Sequence, residues 1–145
     1  MTIVKLDEKD MEIIKILETN SRASIREIGK LIDMRPSTVH LRIKKLQDQG
    51  VIEKFTIKLN DEKLGRNLVV FMLISGAMDK YLNDAVMKDP CVQEIHGITG
   101  EYDLLMKLKF RDMKEFNKFV IGFRDKFSDS ISKTITMVQT VRLKE

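Results

Sequence analysis

The segment from Ser24 to Gly50 constrains this chain most: a short capped helix, a tight turn, then a longer basic helix stopped by glycine. Ser24-Ile25-Arg26-Glu27 has the S-x-x-E form of a capping box, in which serine and glutamate each satisfy the other's free backbone amide. Ile25, Ile28, Leu31 and Ile32 then recur at helical spacing and give this helix one apolar face. Pro36 suits the first position of the next helix, where its missing N–H has no intrahelical partner to lose. Val39, Ile43 and Leu46 place a second apolar stripe there, and Gly50 can take the left-handed cap at the end. Two helices joined this closely read as a helix-turn-helix.

On a wheel of about 100° per residue, Val39, Ile43 and Leu46 face inward, while Ser37, Leu41 and Lys44 lie roughly opposite. Thr38 and Lys45 sit beside them, and His40 shares the helix. Between Asp33 and Asp48 there is no acidic residue, whereas Arg35, Arg42, Lys44 and Lys45 all fall inside the gap. That distribution fits a helix laid along the phosphates of double-stranded DNA, with hydroxyls near its start reaching base edges or backbone oxygens. An outward Leu41 could pack on a thymine methyl. The candidate DNA-binding set is therefore Arg35, Ser37, Thr38, His40, Leu41, Arg42, Lys44 and Lys45. A solvated basic helix face is the alternative; the helix-turn-helix frame favours DNA.

Global charge adds little. The net charge is +4, but residues 1–60 hold 12 Lys/Arg against 9 Asp/Glu, so the excess sits mainly in the N-terminal part. Charged residues at 33% and hydrophobic residues at 43% suit a soluble globular protein with enough apolar side chains for a core. One cysteine, Cys91, excludes an internal disulfide framework and a cysteine-rich zinc site, and reads as a small buried hydrophobe near a strand start. Thr2 to Lys5 is too short for the apolar core of a secretory signal, and Asp7 follows at once. The longest apolar run, Leu68 to Ile74, is far short of the roughly 20 residues that span a bilayer. A cytoplasmic protein without a membrane partner is expected.

The pattern divides into two modules, residues 1–60 and 61–145. Asp7 and Asp10 can cap a first helix running to about Glu18, with Ile13, Ile14 and Leu17 inward. After Gly50 the period changes to two: Val51, Glu53, Phe55, Ile57 and Leu59 alternate with Ile52, Lys54, Thr56 and Lys58. This predicts a strand, making the helix-turn-helix winged or leading into the next domain. The second module predicts strands at Leu68–Ile74, Val92–Ile98, Leu104–Phe110 and Ile131–Leu143. Helices are predicted over Tyr81–Lys88, ended by Pro90, and after Asp112, with Met113, Phe116, Phe119, Val120 and Phe123 inward. The fold class is α+β: a winged helix-turn-helix followed by a β-α-β-β-α-β, ferredoxin-like domain. Its second sheet face needs cover, which a symmetric dimer would provide.

This architecture closely resembles the Lrp/AsnC transcription regulators, the feast/famine proteins, along nearly the whole chain. The resemblance is carried by Asp7-Glu8-Lys9-Asp10-Met11-Glu12-Ile13-Ile14-Lys15-Ile16-Leu17 and by Thr38-Val39-His40-Leu41-Arg42-Ile43-Lys44-Lys45-Leu46 with Gly50-Val51-Ile52. Thr99-Gly100-Glu101-Tyr102-Asp103 resembles the G-x-x-D turn that opens the family's effector site. The resemblance implies a RAM-type second domain, a homodimer assembling to tetramers or octamers, and a small effector, usually an amino acid. The implied effector-binding residues are Thr99, Gly100, Glu101, Tyr102 and Asp103, with Thr134 and Thr136 on a nearby strand. Gly100 allows positive φ, and Asp103 could pair with an α-ammonium group; a plain hairpin turn with a solvated Asp103 is the alternative. Arg35 departs from the family's usual serine or threonine before the recognition helix, so the N-cap is lost or moved to Ser37.

Siroheme decarboxylases resemble the same family and supply a rival reading as an enzyme. Only His40 and His96 could serve a macrocycle, and no metal cluster, nucleophile–base pair or phosphate loop stands out. A third reading is an effector-independent protein that organises DNA with little sequence preference. The expected protein is a non-enzymatic regulator with no cofactor and no metal.

Overall fold

The structure is a computed structural model that describes residues 3–144; Met1, Thr2 and Glu145, with any expectation resting on them, lie outside the described residues. The chain divides into two compact units, Met1–Lys58 and Leu59–Glu145.

The first unit holds α1 (Glu8–Thr19), α2 (Ile25–Leu31) and α3 (Pro36–Asp48). Both expected caps form as capping boxes. The Asp10 amide donates to Asp7 Oδ1 at 2.8 Å, and the Ser24 amide donates to Glu27 Oε2 at 2.7 Å. Ile13, Ile28, Ile32, Val39 and Leu46 form the core. Leu31 does not join them and is 70% exposed. Ile28 and Ile32, four residues apart, take the inward stripe, and Leu31 swings about 100° out of it. The turn is tight: the Met34 amide donates to Gly29 O at 2.8 Å, and Asp33 takes φ +51°. Helix α3 ends in a Schellman arrangement, with Gly50 at φ +70°. The Gly50 amide donates to Gln47 O and the Val51 amide to Leu46 O, both at 2.9 Å.

The expected strand over Val51–Leu59 does not form; no strand is assigned in this segment and no wing is built from it. Alternation specifies which side chains would share a face, but a strand also needs a neighbour for its amides and carbonyls. Among the described residues no strand forms a ladder with it, and Phe55, Ile57 and Leu59 stay exposed.

The second unit contains β1 (Leu68–Gly76), α4 (Met78–Tyr81), α5 (Asp84–Met87), β2 (Val92–Gly97), β3 (Leu104–Phe110), α6 (Met113–Phe127) and β4 (Ile131–Val138). The antiparallel sheet has the order β2-β3-β1-β4. The helix expected over Tyr81–Lys88 is two single turns instead. Asn83 breaks it by accepting the Ala85 and Val86 amides at 3.0 and 3.2 Å, which starts a new helix. Strand β4 stops five residues short of the expected Leu143: Val138 pairs with Val70, so β1 has almost run out of partner residues. Helix α6 is capped by Asp112, whose side chain accepts the Glu115 amide at 2.8 Å. Met113, expected inward, is 52% exposed because it occupies the first helical position, ahead of the packed turns.

One sheet face buries Val70, Met72, Ile74, Leu104, Met106 and Leu108 against the aromatic side of α6. The opposite face aligns Leu105, Leu73 and Ile135 in one row, with Phe71 and Met137 in the next. No element of the unit covers these, and Ile135 and Met137 are exposed.

Candidate functional site

Helix α3 turns Val39 and Leu46 into the core, which forces its other faces outward. Ser37, Thr38, His40, Leu41, Lys44 and Lys45 are all exposed, as is Arg35 just before the helix. Leu41 is 64% exposed, a large apolar side chain standing among hydroxyls and cations. Arg35 is the N-cap but makes no side-chain cap bond; Ser37 lies within the helix, so the capping function is lost rather than moved.

Arg42 is placed differently from the other seven candidates. Its Nη1 donates to Asp10 Oδ1 at 2.6 Å and to Asp7 Oδ2 at 2.7 Å, reaching back to the start of α1. Asp10 is 4% exposed. The Arg42 guanidinium holds the Asp7 carboxyl below the usual carboxylate range, and Asp7 in turn raises the pKa of Arg42. The two aspartates read as capping residues; their second role was hidden because Arg42 lies more than thirty residues away in sequence. One arginine thus ties the candidate reading helix to α1.

The turn between β2 and β3 is built around Gly100 at φ +127°, a conformation that side-chain-bearing residues rarely adopt. It is closed by the Ile98 amide donating to Asp103 O, and anchored by the Asp103 amide donating to Ile74 O, both at 3.0 Å. Asp103 is not simply solvated. Its Oδ2 accepts the Ser75 hydroxyl and the Gly76 amide, each at 3.0 Å, pinning the turn to the end of β1. The amides of Thr99, Gly100 and Glu101 donate to no protein acceptor among the described residues, and all three residues are exposed.

Lys133 enters this site unannounced by motif. It pairs with Glu101, and its ammonium lies 5.1 Å from the centre of the Tyr102 ring. The Glu101 hydrogen bond raises the pKa of Lys133. Tyr102 is buried, and its hydroxyl has no hydrogen-bond partner among the described residues. Register could have found Lys133: it pairs with Ser75, which holds Asp103. The same register separates Thr134 and Thr136 from that row. They pair with Ile74 and Met72, and alternation directs them to the other sheet face.

His40 and His96 lie in different units, and His96 Nε2 is 3.1 Å from Glu94 Oε2. Among the described residues, no group of three or more His, Cys, Asp or Glu side chains is arranged to hold a metal. No helix among them is long and apolar enough to cross a membrane.

Residues 6–47 match the AsnC-type helix-turn-helix domain, and residues 70–145 match the Lrp/AsnC ligand binding domain. The chain belongs to the Lrp/AsnC family. It is a transcriptional regulator of the Lrp/AsnC type with a ligand-binding domain. The HTH-type transcriptional regulator FL11 of Pyrococcus abyssi is 42% identical over 123 residues, covering 82% of each chain. Among solved structures, transcriptional regulator NMB0573 from Neisseria meningitidis, determined as an L-Met complex, is 26% identical with a TM-score of 0.88, covering 97% of this chain and 94% of its own. AsnC of E. coli shares the fold at a TM-score of 0.86 and 24% identity, over 98% of this chain and 97% of its own.

Proposed function

We propose that this Lrp/AsnC regulator is a cytoplasmic homodimer that reads double-stranded DNA with α3 and responds to an amino acid held at the Gly100–Asp103 turn. The observation that carries the DNA reading is the outer face of α3. It presents Ser37, Thr38, His40, Leu41, Lys44 and Lys45 to solvent, on a helix with no acid until Asp48. Lys44 and Lys45 meet phosphates; Ser37, Thr38 and Leu41 meet base edges, with Arg35 at the flanking backbone. Arg42, engaged with α1, orients the helix.

Dimer formation is supported by the uncovered row of Leu105, Leu73 and Ile135. A second copy would bury that row, and would place two reading helices about 34 Å or a multiple apart. Assembly to tetramers or octamers extends the same proposal. An amino-acid effector is supported by the chemistry of the turn: amides without a protein acceptor suit a carboxylate, and the second oxygen of Asp103 suits an ammonium. The relative crystallised with L-Met makes an amino acid the first ligand to try. The protein acts by binding, without a catalytic step.

Fluorescence anisotropy on the protein's own upstream DNA and on a scrambled duplex tests this, with salt varied and amino acids added at the midpoint. Tighter binding to the native duplex, a steep salt slope and a shift with one amino acid are expected. Equal binding to both duplexes with no amino-acid effect would make it an architectural protein. No binding at low salt would overturn the DNA reading.

A further inference from the structure

We infer that Lys9, which lies outside α3, is a positioning residue for DNA recognition: its ammonium fixes the turn that launches α3, and so acts on sequence preference without touching DNA. This role presupposes that α3 reads DNA. Lys9 Nζ donates to Ile32 O at 2.9 Å and to Glu12 Oε2 at 3.0 Å. Ile32 is the residue on which α2 ends, and it is 5% exposed, so its carbonyl has little access to water and needs a donor from the protein. A continuing helix would supply the amide four residues on, but that residue is Pro36, which has no N–H. Lys9 supplies the donor instead, from 23 residues away in sequence.

That bond sits where the motif turns. Asp33 at φ +51° and the Met34 amide on Gly29 O follow Ile32 directly, and Pro36 begins α3. The next residue of α1 holds α3 itself: Asp10 accepts Arg42 Nη1 at 2.6 Å. Neighbours on one helical turn thus grip both helices of the motif, Lys9 the end of α2 and Asp10 the body of α3. A cation so near the start of α1 runs against the helix dipole, so Lys9 is placed by what it holds and not by the helix that carries it. Glu12, three residues on, keeps the ammonium in place. With the turn loosened, Arg35, Ser37 and Thr38 at the start of α3 lose their fixed position first, and base edges are read only by groups held closely in place.

The test measures anisotropy of the intact protein and its variants on the protein's own upstream DNA and on a scrambled duplex, across salt. Lys9→Met should cut the preference for the native duplex about tenfold, while affinity for the scrambled duplex and its salt slope stay unchanged. Lys9→Arg, which keeps a charged donor within reach, should restore the preference. Glu12→Gln, which removes the ion pair but leaves the bond to Ile32, should keep it. In hydrogen exchange, the Met34 amide should open faster in Lys9→Met while amides in the middle of α1 keep their rate. An unchanged preference in Lys9→Met would overturn the inference, as would failure of Lys9→Arg to restore it or an equal loss in Glu12→Gln. A uniform loss on both duplexes, with a salt slope lower by about one, would make Lys9 a phosphate contact instead. Faster exchange throughout α1, α2 and α3 would reduce it to a general brace for the unit. No preference in the unaltered protein would overturn the reading of DNA by α3, and this role with it.

Discussion

Arg42 on α3 and Asp10 on α1 are joined at 2.6 Å, and Asp10 is the one buried charged side chain among the described residues. Removing the arginine would leave a desolvated carboxylate without its cation, which costs more than the pair itself contributes. Arg42→Met should therefore destabilise the N-terminal unit by roughly 2–3 kcal/mol, less than a fully buried pair because Arg42 is partly exposed. Asp10→Asn should recover part of that loss in the Arg42→Met background. Hydrogen exchange across α1 and α3 reads both effects, and strict additivity of the two changes would refute the coupling.

The same cluster sets an acid limit. Asp7 has its pKa lowered by Arg42, and Glu27 has its own lowered by the Ser24 amide. A carboxyl with a depressed folded pKa adds stability above its unfolded value, about 3.9 for Asp and 4.3 for Glu. That stability is lost as pH falls through the folded pKa. Stability should be level from neutral pH to about 5 and then fall below about pH 4. Asp7→Asn should flatten the fall, as followed by urea unfolding at each pH; an unchanged curve would remove Asp7 as the cause.

On the outer face of α3, contact type predicts which measurement moves. Lys44→Ala should weaken binding to all duplexes alike and reduce the salt slope by about one, as loss of a phosphate contact does. Ser37→Ala or Leu41→Ala should alter sequence preference by about 1–3 kcal/mol at one base pair. Anisotropy on matched and mismatched duplexes separates the two, and the reverse pattern would show that the face has been sorted wrongly.

What was readable in the sequence follows the range of the interactions involved. Both capping boxes, the Gly50 stop and the α+β order depend on neighbours within a few residues, and these are what local patterns encode. The turn at Gly100 was legible for the same reason. Arg42 was not: its charge suggested phosphate, while its partners sit on another helix. Lys133 came into view only through strand register, and Thr134 and Thr136 left the Asp103 row by that register. The segment after Gly50 shows the limit most plainly, since alternation alone, outside a sheet ladder, makes no strand.

Gly29 owes its identity to space rather than to φ. A Cβ there would lie 2.5 Å from Met34 O, and backbone on the far side of a tight turn cannot give way cheaply. Gly29→Ala should cost about 1–3 kcal/mol despite the better helix propensity of alanine. Gly122→Ala is the control: it is also helical but has open space, and should stabilise by about 0.5–1 kcal/mol. Thermal unfolding of both variants checks the contrast, and equal shifts would mean that the Met34 contact relaxes.

Asp103 carries two duties that one substitution can separate. Its Oδ2 ties the turn to β1 through Ser75 and Gly76, while its charge is the feature suited to an ammonium. Asn keeps an acceptor oxygen of the same reach and removes the charge; Ala removes both. Asp103→Asn should keep near-normal stability and DNA binding yet lose the amino-acid response by about tenfold or more. Asp103→Ala should lose the response and also cost about 1–3 kcal/mol, because the Ser75 hydroxyl and Gly76 amide are left unpaired. Denaturation and effector titration of the two variants distinguish the duties. A full response in Asp103→Asn would move ammonium recognition to another group and leave Asp103 as a brace for the turn.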